Sequence, residues 1–214
     1  MNCLNCGTQF AVEIWESVNT DLCEDLSNKI ISSEFFNAKC TKCGFVAELE
    51  YDILYHDLQH GAMIWVAHKQ ETGYEEKIKD IRDFEVPLGY TMRIVSDINQ
   101  LLEKVSALDA GRDDRVIELC KAYLRYELSW HSPDFKTAAT FYTYSGGEEI
   151  ILFYDENGQE LSCCLLPELY DAISAKFALT LSKASMLSWE IYDAEWAEEF
   201  FNSEAEEGSG IIVQ

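Results

Sequence analysis

Apolar residues recur at every second position in two stretches of the N-terminal part of the chain. Phe10, Val12 and Ile14 interleave with Gln9, Ala11 and Glu13, and Phe45, Ala47, Leu49 and Tyr51 interleave with Val46, Glu48 and Glu50. A period of two predicts a half-buried strand in each stretch, and "AMIWVAH" at 62–68 predicts a third. Between the first two the period lengthens. Leu22, Leu26 and Ile30 fall on one helical face, Asp21 and Glu24 form a capping-box-like start, and Cys23 beside that face reads as a packed thiol.

From Ser96 the pattern is helical. Ile98, Leu101, Leu102, Val105 and Leu108 recur at three and four, with Gly111 just past the end as a stop. A second helix starts near Asp113 with Val116, Ile117, Cys120 and Leu124 inward, and the short connection predicts a helical hairpin. Pro133, in "YELSWHSPDF", ends the helical region and suggests a domain boundary.

Beyond it "TAATFYTY", "EEIILFYD" and "ELSCCLL" predict three short strands, parted by "SGG" and "ENGQ". Asn157-Gly158 predicts a two-residue hairpin turn in which both residues take positive φ. Pro167 suits the first turn of a helix through Phe177, "SMLSWEIYDAEWAEEFF" predicts another helix, and "NSEAEEGSG" a frayed acidic tail. The fold class is α+β. The expected domains are an elaborated zinc ribbon with a helical hairpin over 1–132, and an acidic β-meander with C-terminal helices over 133–214.

Composition narrows the function classes. The chain has 214 residues, 48% of them apolar and only three proline, which is the make-up of a packed protein rather than a linker. The start "MNCLNCG" lacks the basic and apolar regions of a secretory signal, and "AMIWVA" and "IILFY" are too short to span a bilayer, so no membrane association and a cytoplasmic location are expected. In that compartment thiols stay reduced, and eight cysteines read as metal ligands and buried small hydrophobes rather than disulfides. Net charge is −23, and residues 141–214, with 2 basic and 15 acidic residues, carry −13 of it. Such a chain is repelled by a phosphate backbone, so nucleic acid is an unfavourable partner and a basic protein a suitable one.

The sharpest chemical signal is the pairing of "CLNCG" with "CTKCG". Cys3, Cys6, Cys40 and Cys43 form two C-x-x-C pairs with 33 residues between them, an all-sulfur set that closes a tetrahedral sphere. Gly7 and Gly44 let each knuckle turn tightly and aim backbone N–H groups at sulfur. One structural Zn2+ per chain is the expected cofactor, because zinc is the usual structural choice for four thiolates, although iron fits the same donors. Two weaker signals accompany it. His56 and His60 lie four apart with Asp57 between, resembling a zinc-protease motif if helical but without a third ligand, and Cys163-Cys164 is a vicinal pair in a strand whose thiols point to opposite faces.

The two knuckles, with "ILYHD", "MIWV" and "RIVSDINQLLEKVSALDAGRDDRVIELCK" downstream, resemble the bacterial and archaeal CpXC family over about residues 1–130. That family is named for two Cys-Pro-x-Cys motifs, whose cysteines correspond to Cys3, Cys6, Cys40 and Cys43; Leu4 and Thr41 stand where the motif has proline. The resemblance implies a zinc-binding domain of unknown function and supplies no catalytic residues. The reading favoured by the residues is a non-enzymatic, zinc-stabilised interaction or adaptor protein. Two alternatives stay open: a nucleic-acid-associated ribbon or acidic nucleic-acid mimic, and an enzyme built on His56, Asp57 and His60 or on Cys163 or Cys164.

Overall fold

The structure, a computed structural model, describes residues 1–22, 34–69, 73–85, 87–183 and 188–206. The helix expected over Leu22 to Ile30, the thiol of Cys23 and the last residues of the acidic tail lie outside the described residues. Among those described, the chain is a mixed α+β protein with five helices and three sheets, divided into two compact units.

The first unit holds residues 1–98 together with 186–189. Its main sheet has the order β1-β4-β5-β6, built from Ser17–Asn19 (β1), Ile53–Asp57 (β4), Ala62–Val66 (β5) and Thr91–Val95 (β6). A small antiparallel pair, Asn37–Lys39 (β2) and Val46–Glu48 (β3), forms a second sheet. β4 and β5 are an antiparallel hairpin that buries alternate residues, Ile53, Tyr55 and Asp57 on one strand and Ala62, Ile64 and Val66 on the other. β5 and β6 run parallel and so need a crossover, supplied by helix α1 at Tyr74–Arg82, which buries Ile78 and Ile81.

Two expectations change here. The "AMIWV" strand forms, but residues 10–14 form no strand. Phe10 exchanges backbone hydrogen bonds with Met1 at 3.0 and 3.1 Å, after which Ile14 is exposed and the first ladder begins at Ser17. Alternation there reflects Phe10 and Val12 packing against the cysteines rather than a neighbouring strand. The stretch "ILYHD" is a strand, so His56 and His60 do not share a helical face.

Trp189 belongs to the core of this first unit although it lies far along the chain. It is 2% exposed, its ring meets Trp65 edge-to-face at 5.9 Å, and its carbonyl accepts from Arg82 Nε at 3.4 Å. Periodicity within residues 1–132 carries no trace of this distant indole.

The second unit holds residues 99–185 and 190–214. Helices α2 (Ile98–Asp109) and α3 (Asp114–His131) form the predicted hairpin, with Gly111 at φ 66° after the first and the Asp113 carboxylate accepting the Arg115 N–H at the start of the second. All but the first residue of this hairpin is grouped with the C-terminal residues. Val116, Ile117, Leu119 and Cys120 bury into one cluster with Tyr142, Ile151, Phe153, Tyr170 and Phe177.

Strands β7 (Thr137–Ser145), β8 (Glu148–Asp155) and β9 (Glu160–Cys164) make an antiparallel meander, followed by α4 (Pro167–Lys183) and α5 (Ala194–Glu206). The β8–β9 turn differs from the two-residue form. Gly158 donates to the Asp155 carbonyl, which makes Glu156 and Asn157 the central residues, and Gly158 takes the left-handed φ of 78°. The Asp155 carboxylate fixes that loop by accepting the N–H groups of Asn157 and Gln159. The last helix starts at Ala194, where the Asp193 carboxylate caps the Trp196 N–H, and it continues through Glu206, so residues 202–206 of the expected tail are helical.

Four charged residues are buried where α2 meets α3. Lys104 Nζ lies 3.0 Å from Glu118 and 3.3 Å from Asp114, and donates to the Tyr192 carbonyl at 2.6 Å. Lys121 Nζ lies 2.9 Å from the other Glu118 oxygen and 2.5 Å from Glu103, whose second oxygen accepts the Tyr142 N–H at 2.7 Å. Signs alternate along this chain, so each charge has an opposite neighbour. Burial pushes Glu103 up to about 7 against the pull of Lys121. Burial also opposes ionisation of Glu118, but Lys104 and Lys121 outweigh it and hold Glu118 down to about 2. Glu103 also closes the open side of β7, an edge strand whose Tyr142 N–H points away from β8.

Two stability measurements follow. Trp189→Ala removes a large buried side chain and is expected to cost about 3–5 kcal/mol, read by urea unfolding with circular dichroism. Lys104→Met strands part of the buried carboxylate charge and is expected to cost about 3–5 kcal/mol, against less than about 1 kcal/mol for Arg125→Ala, which breaks an ion pair to the exposed Glu198. Equal costs for the two would show that the buried chain is not a stabilising unit.

Candidate metal centre

The two C-x-x-C-G stretches fold into matching turns. Cys3 N–H donates to the Thr8 carbonyl at 2.9 Å and Gly7 N–H to the Cys3 carbonyl at 2.8 Å; Cys40 N–H donates to the Phe45 carbonyl at 2.8 Å and Gly44 N–H to the Cys40 carbonyl at 2.9 Å. Both glycines adopt positive φ, 69° and 74°, which a side chain at that position would resist. Each turn is closed by pairing on either side of it. Asn2 bridges Gln9 in the first, and β2 pairs with β3 in the second.

The turns bring all four sulfur atoms within 4.8 Å of one another, with Cys3 Sγ 3.5 Å from Cys43 and Cys6 Sγ 3.8 Å from Cys40. These spacings exclude disulfides, whose sulfurs lie about 2.05 Å apart. They fit a shared ion: four thiolates at about 2.3 Å from a tetrahedral metal sit about 3.8 Å from each other. Cys3 and Cys40 are buried with Phe10 and Ala38, while Cys6 and Cys43 face outward. Thiolate character differs accordingly. Burial pushes Cys3 up to about 11, the Thr8 hydroxyl and backbone N–H pull Cys6 down to about 6, and the N–H groups of Cys43 and Lys42 pull Cys40 down. Hydrogen bonds to the knuckles thus favour the deprotonated form at Cys6 and Cys40, while burial opposes it at Cys3.

Thr8 and Asn5 also approach the sulfurs, although neither is of a metal-ligating type that a sequence reading singles out. Thr8 Oγ1 lies 3.4 Å from Cys6 Sγ, and Asn5 Nδ2 donates toward Cys43 Sγ at 3.7 Å. The signal was only their position within or beside the turn, where a short polar side chain can reach sulfur.

A family model described as CpXC protein matches residues 1–121. The chain belongs to the CpXC family. No curated protein and no solved structure matches it. At the two positions where the family name has proline, Leu4 is 83% exposed and Thr41 is exposed too, and neither side chain is a sulfur donor. The match ends inside α3, so it spans the cysteine centre, the first unit's sheet and part of the helical hairpin.

Of the other candidate residues, Asp57 and His60 meet each other, while His56 takes other partners. His56 stands on β4 between Asn19 and Tyr90, with its ring nitrogens 3.2 Å from the Asn19 amide and 3.2 Å from the Tyr90 hydroxyl. His60 sits in the β4–β5 turn with Nδ1 2.8 Å from the buried Asp57 carboxylate, which also accepts the His60 N–H. Cys163 is half-buried against the second unit's core, where burial raises its thiol, and Cys164 is exposed. Among the described residues, the grouping with metal-ligand spacing is the four cysteines.

Cobalt(II) titrated into metal-free protein is expected to give thiolate charge-transfer absorption saturating at one ion per chain. Cys40→Ser/Cys43→Ser should abolish it, and acidification should release the ion as protons compete for sulfur. Saturation unchanged in the double variant would place the metal elsewhere.

Proposed function

We propose that this protein is a zinc-stabilised, non-enzymatic interaction protein, in which the four-cysteine centre is a structural element of zinc-ribbon type and the acidic surface receives a basic protein partner. The observation that carries the reading is the closed sulfur set. Cys3, Cys6, Cys40 and Cys43 fill a tetrahedral sphere and leave no position for water or substrate, which is the arrangement of structural rather than catalytic zinc. Zinc is preferred because it has no redox chemistry and is the common occupant of such sites.

Charge supports the choice of partner. Residues 1–70 carry 4 basic and 10 acidic residues, so even the part with the knuckles opposes a phosphate backbone, and Lys39 and Lys42 beside the second knuckle are few against that excess. The larger excess beyond residue 140 attracts a cationic surface and speeds encounter with it. Among the described residues no helix is long and apolar enough to cross a membrane.

Elemental analysis of protein purified without added metal should find one zinc per chain, lost with the fold of the first unit in Cys40→Ser/Cys43→Ser. Capture from the native host should then retain a basic protein whose binding weakens as salt is raised. No retained protein above background would defeat the interaction role, and a metal retained by the double variant would defeat the structural one.

A further inference from the structure

The buried ion chain of the second unit does not balance. Its order is Asp114, Lys104, Glu118, Lys121, Glu103, each within 3.3 Å of the next, so three carboxylates face two ammonium groups. Both ends of the chain are carboxylates, but the two ends are met differently. Asp114 stands in the first turn of α3, where the helix dipole favours a negative charge. Glu103 lies in the body of α2 and is met, besides Lys121, by the neutral Tyr142 N–H, so the surplus negative charge falls at its end. Burial pushes its carboxyl up to about 7, with Lys121 and Lys104 pulling it down and Glu118 adding to the rise, as expected of a charge that its neighbours answer only in part.

Glu103 is also where this interior chain meets a pocket. A cavity of about 410 Å³ opens between α2 and the outer face of the meander, with Glu103 in its lining. Asn99, Glu103 and Ser106 reach it from α2, spaced three and four apart as residues on one helical face are. Opposite them, Phe141 pairs with Leu152 across the β7–β8 ladder, and the Phe141 and Tyr154 rings meet edge-to-face at 6.0 Å. These side chains lie on the face away from Tyr142, Ile151 and Phe153, which enter the core. The pocket lining holds one carboxylate and no cation. A second carboxylate stands beside it, since the Tyr154 hydroxyl donates to the exposed Glu160 at 2.6 Å.

We propose that this pocket binds a small organic cation, a primary amine with an apolar body, whose ammonium group sits at Glu103. A carboxylate accepts about four hydrogen bonds, and two of those at Glu103 go to Lys121 and the Tyr142 N–H, so it has capacity for an N–H of the ligand. Oxygens of Asn99, Ser106 and Thr143 are neutral acceptors for the other N–H groups. The rings of Phe141 and Tyr154 favour a cation near their faces, and Leu102 and Leu152 favour its apolar body. One carboxylate among neutral oxygens is a poor set for Mg2+ or Ca2+, which take several oxygen ligands in a defined shell. The volume is that of a small-molecule site. This site is distinct from the cysteine centre and does not rest on the basic-protein reading above.

The test is calorimetric titration of the full-length protein as purified, at about pH 8 so that Glu103 is ionised, with four probes. These are phenethylamine, its neutral isostere phenethyl alcohol, the anion hydrocinnamate, and a lysine blocked at both backbone ends as a stand-in for a protein-borne ammonium. Phenethylamine is expected to saturate one site per chain and to bind at least about tenfold more tightly than each of the other three. Glu103→Gln removes the charge while keeping an acceptor for the Tyr142 N–H, and should lose about tenfold or more in affinity for the amine. Thr143→Lys sets an ammonium group in the pocket lining from the outer face of β7, and should cause the same loss with the unfolding midpoint kept. If Glu103→Gln does not fold, Thr143→Lys and the probe series on the wild type still decide. No binding of phenethylamine, equal binding of the alcohol or the anion, or an affinity for the amine unchanged in either folded variant would each overturn the proposal. Equal or tighter binding of the blocked lysine would overturn it too, by assigning the pocket to a side chain of a partner protein.

Discussion

Four sulfur atoms that must converge on one point constrain the start of this protein more than any other requirement. The apolar cluster around them is small, with Cys3, Phe10, Ala38 and Cys40 at its centre and Val12 and Leu49 at its edge. So little buried surface contributes too little to offset the conformational entropy of two turns and their flanking segments. A shared metal would change that balance, because binding free energy at a site that exists only in the folded chain is folding free energy. The repeated backbone pattern at Cys3–Thr8 and Cys40–Phe45 follows from the same demand: each turn must offer two sulfurs and direct N–H groups toward them.

The second unit answers a different problem. Its helical hairpin carries Glu103, Lys104, Glu118 and Lys121 into the interior, where an unpaired charge would be strongly disfavoured. Alternation of sign along the cluster, with the Tyr142 N–H at one end and the Tyr192 carbonyl at the other, lets every ion meet a counter-charge. Such an arrangement tolerates few alternative registers of α2 against α3, since a slip of one turn would set like charges together. Its value lies in specifying one pairing as much as in raw stability.

The proposed recognition role rests on a closed sulfur set, on histidines occupied by neighbouring polar groups and on a strongly acidic composition. His56 meets Asn19 and Tyr90, and His60 meets Asp57, so both imidazoles have structural partners. On the proposed reading the metal makes a scaffold and the surface chooses the partner. The long-range field of the carboxylates then governs encounter.

Local chemistry determined a great deal. The spacing of Cys3, Cys6, Cys40 and Cys43 named the cluster, because ligands three positions apart converge through turn geometry alone; the period of Ile98 to Leu108 and of Val116 to Leu124 named the hairpin; and "EEIILFYD" and its neighbours named the meander. What depended on a distant segment stayed hidden. Residues 10–14 alternate as a strand does yet form no ladder, while Ser17–Asn19, short and with Val18 its one apolar residue, is a strand because β4 offers it a parallel partner. Lys104 and Glu118 look like surface charges until α2 and α3 are placed together, and Trp189 looks like part of a C-terminal helix until it is found against Trp65. Periodicity records which side of an element is apolar, whereas only the tertiary structure decides what that side, or an edge or a buried charge, will meet.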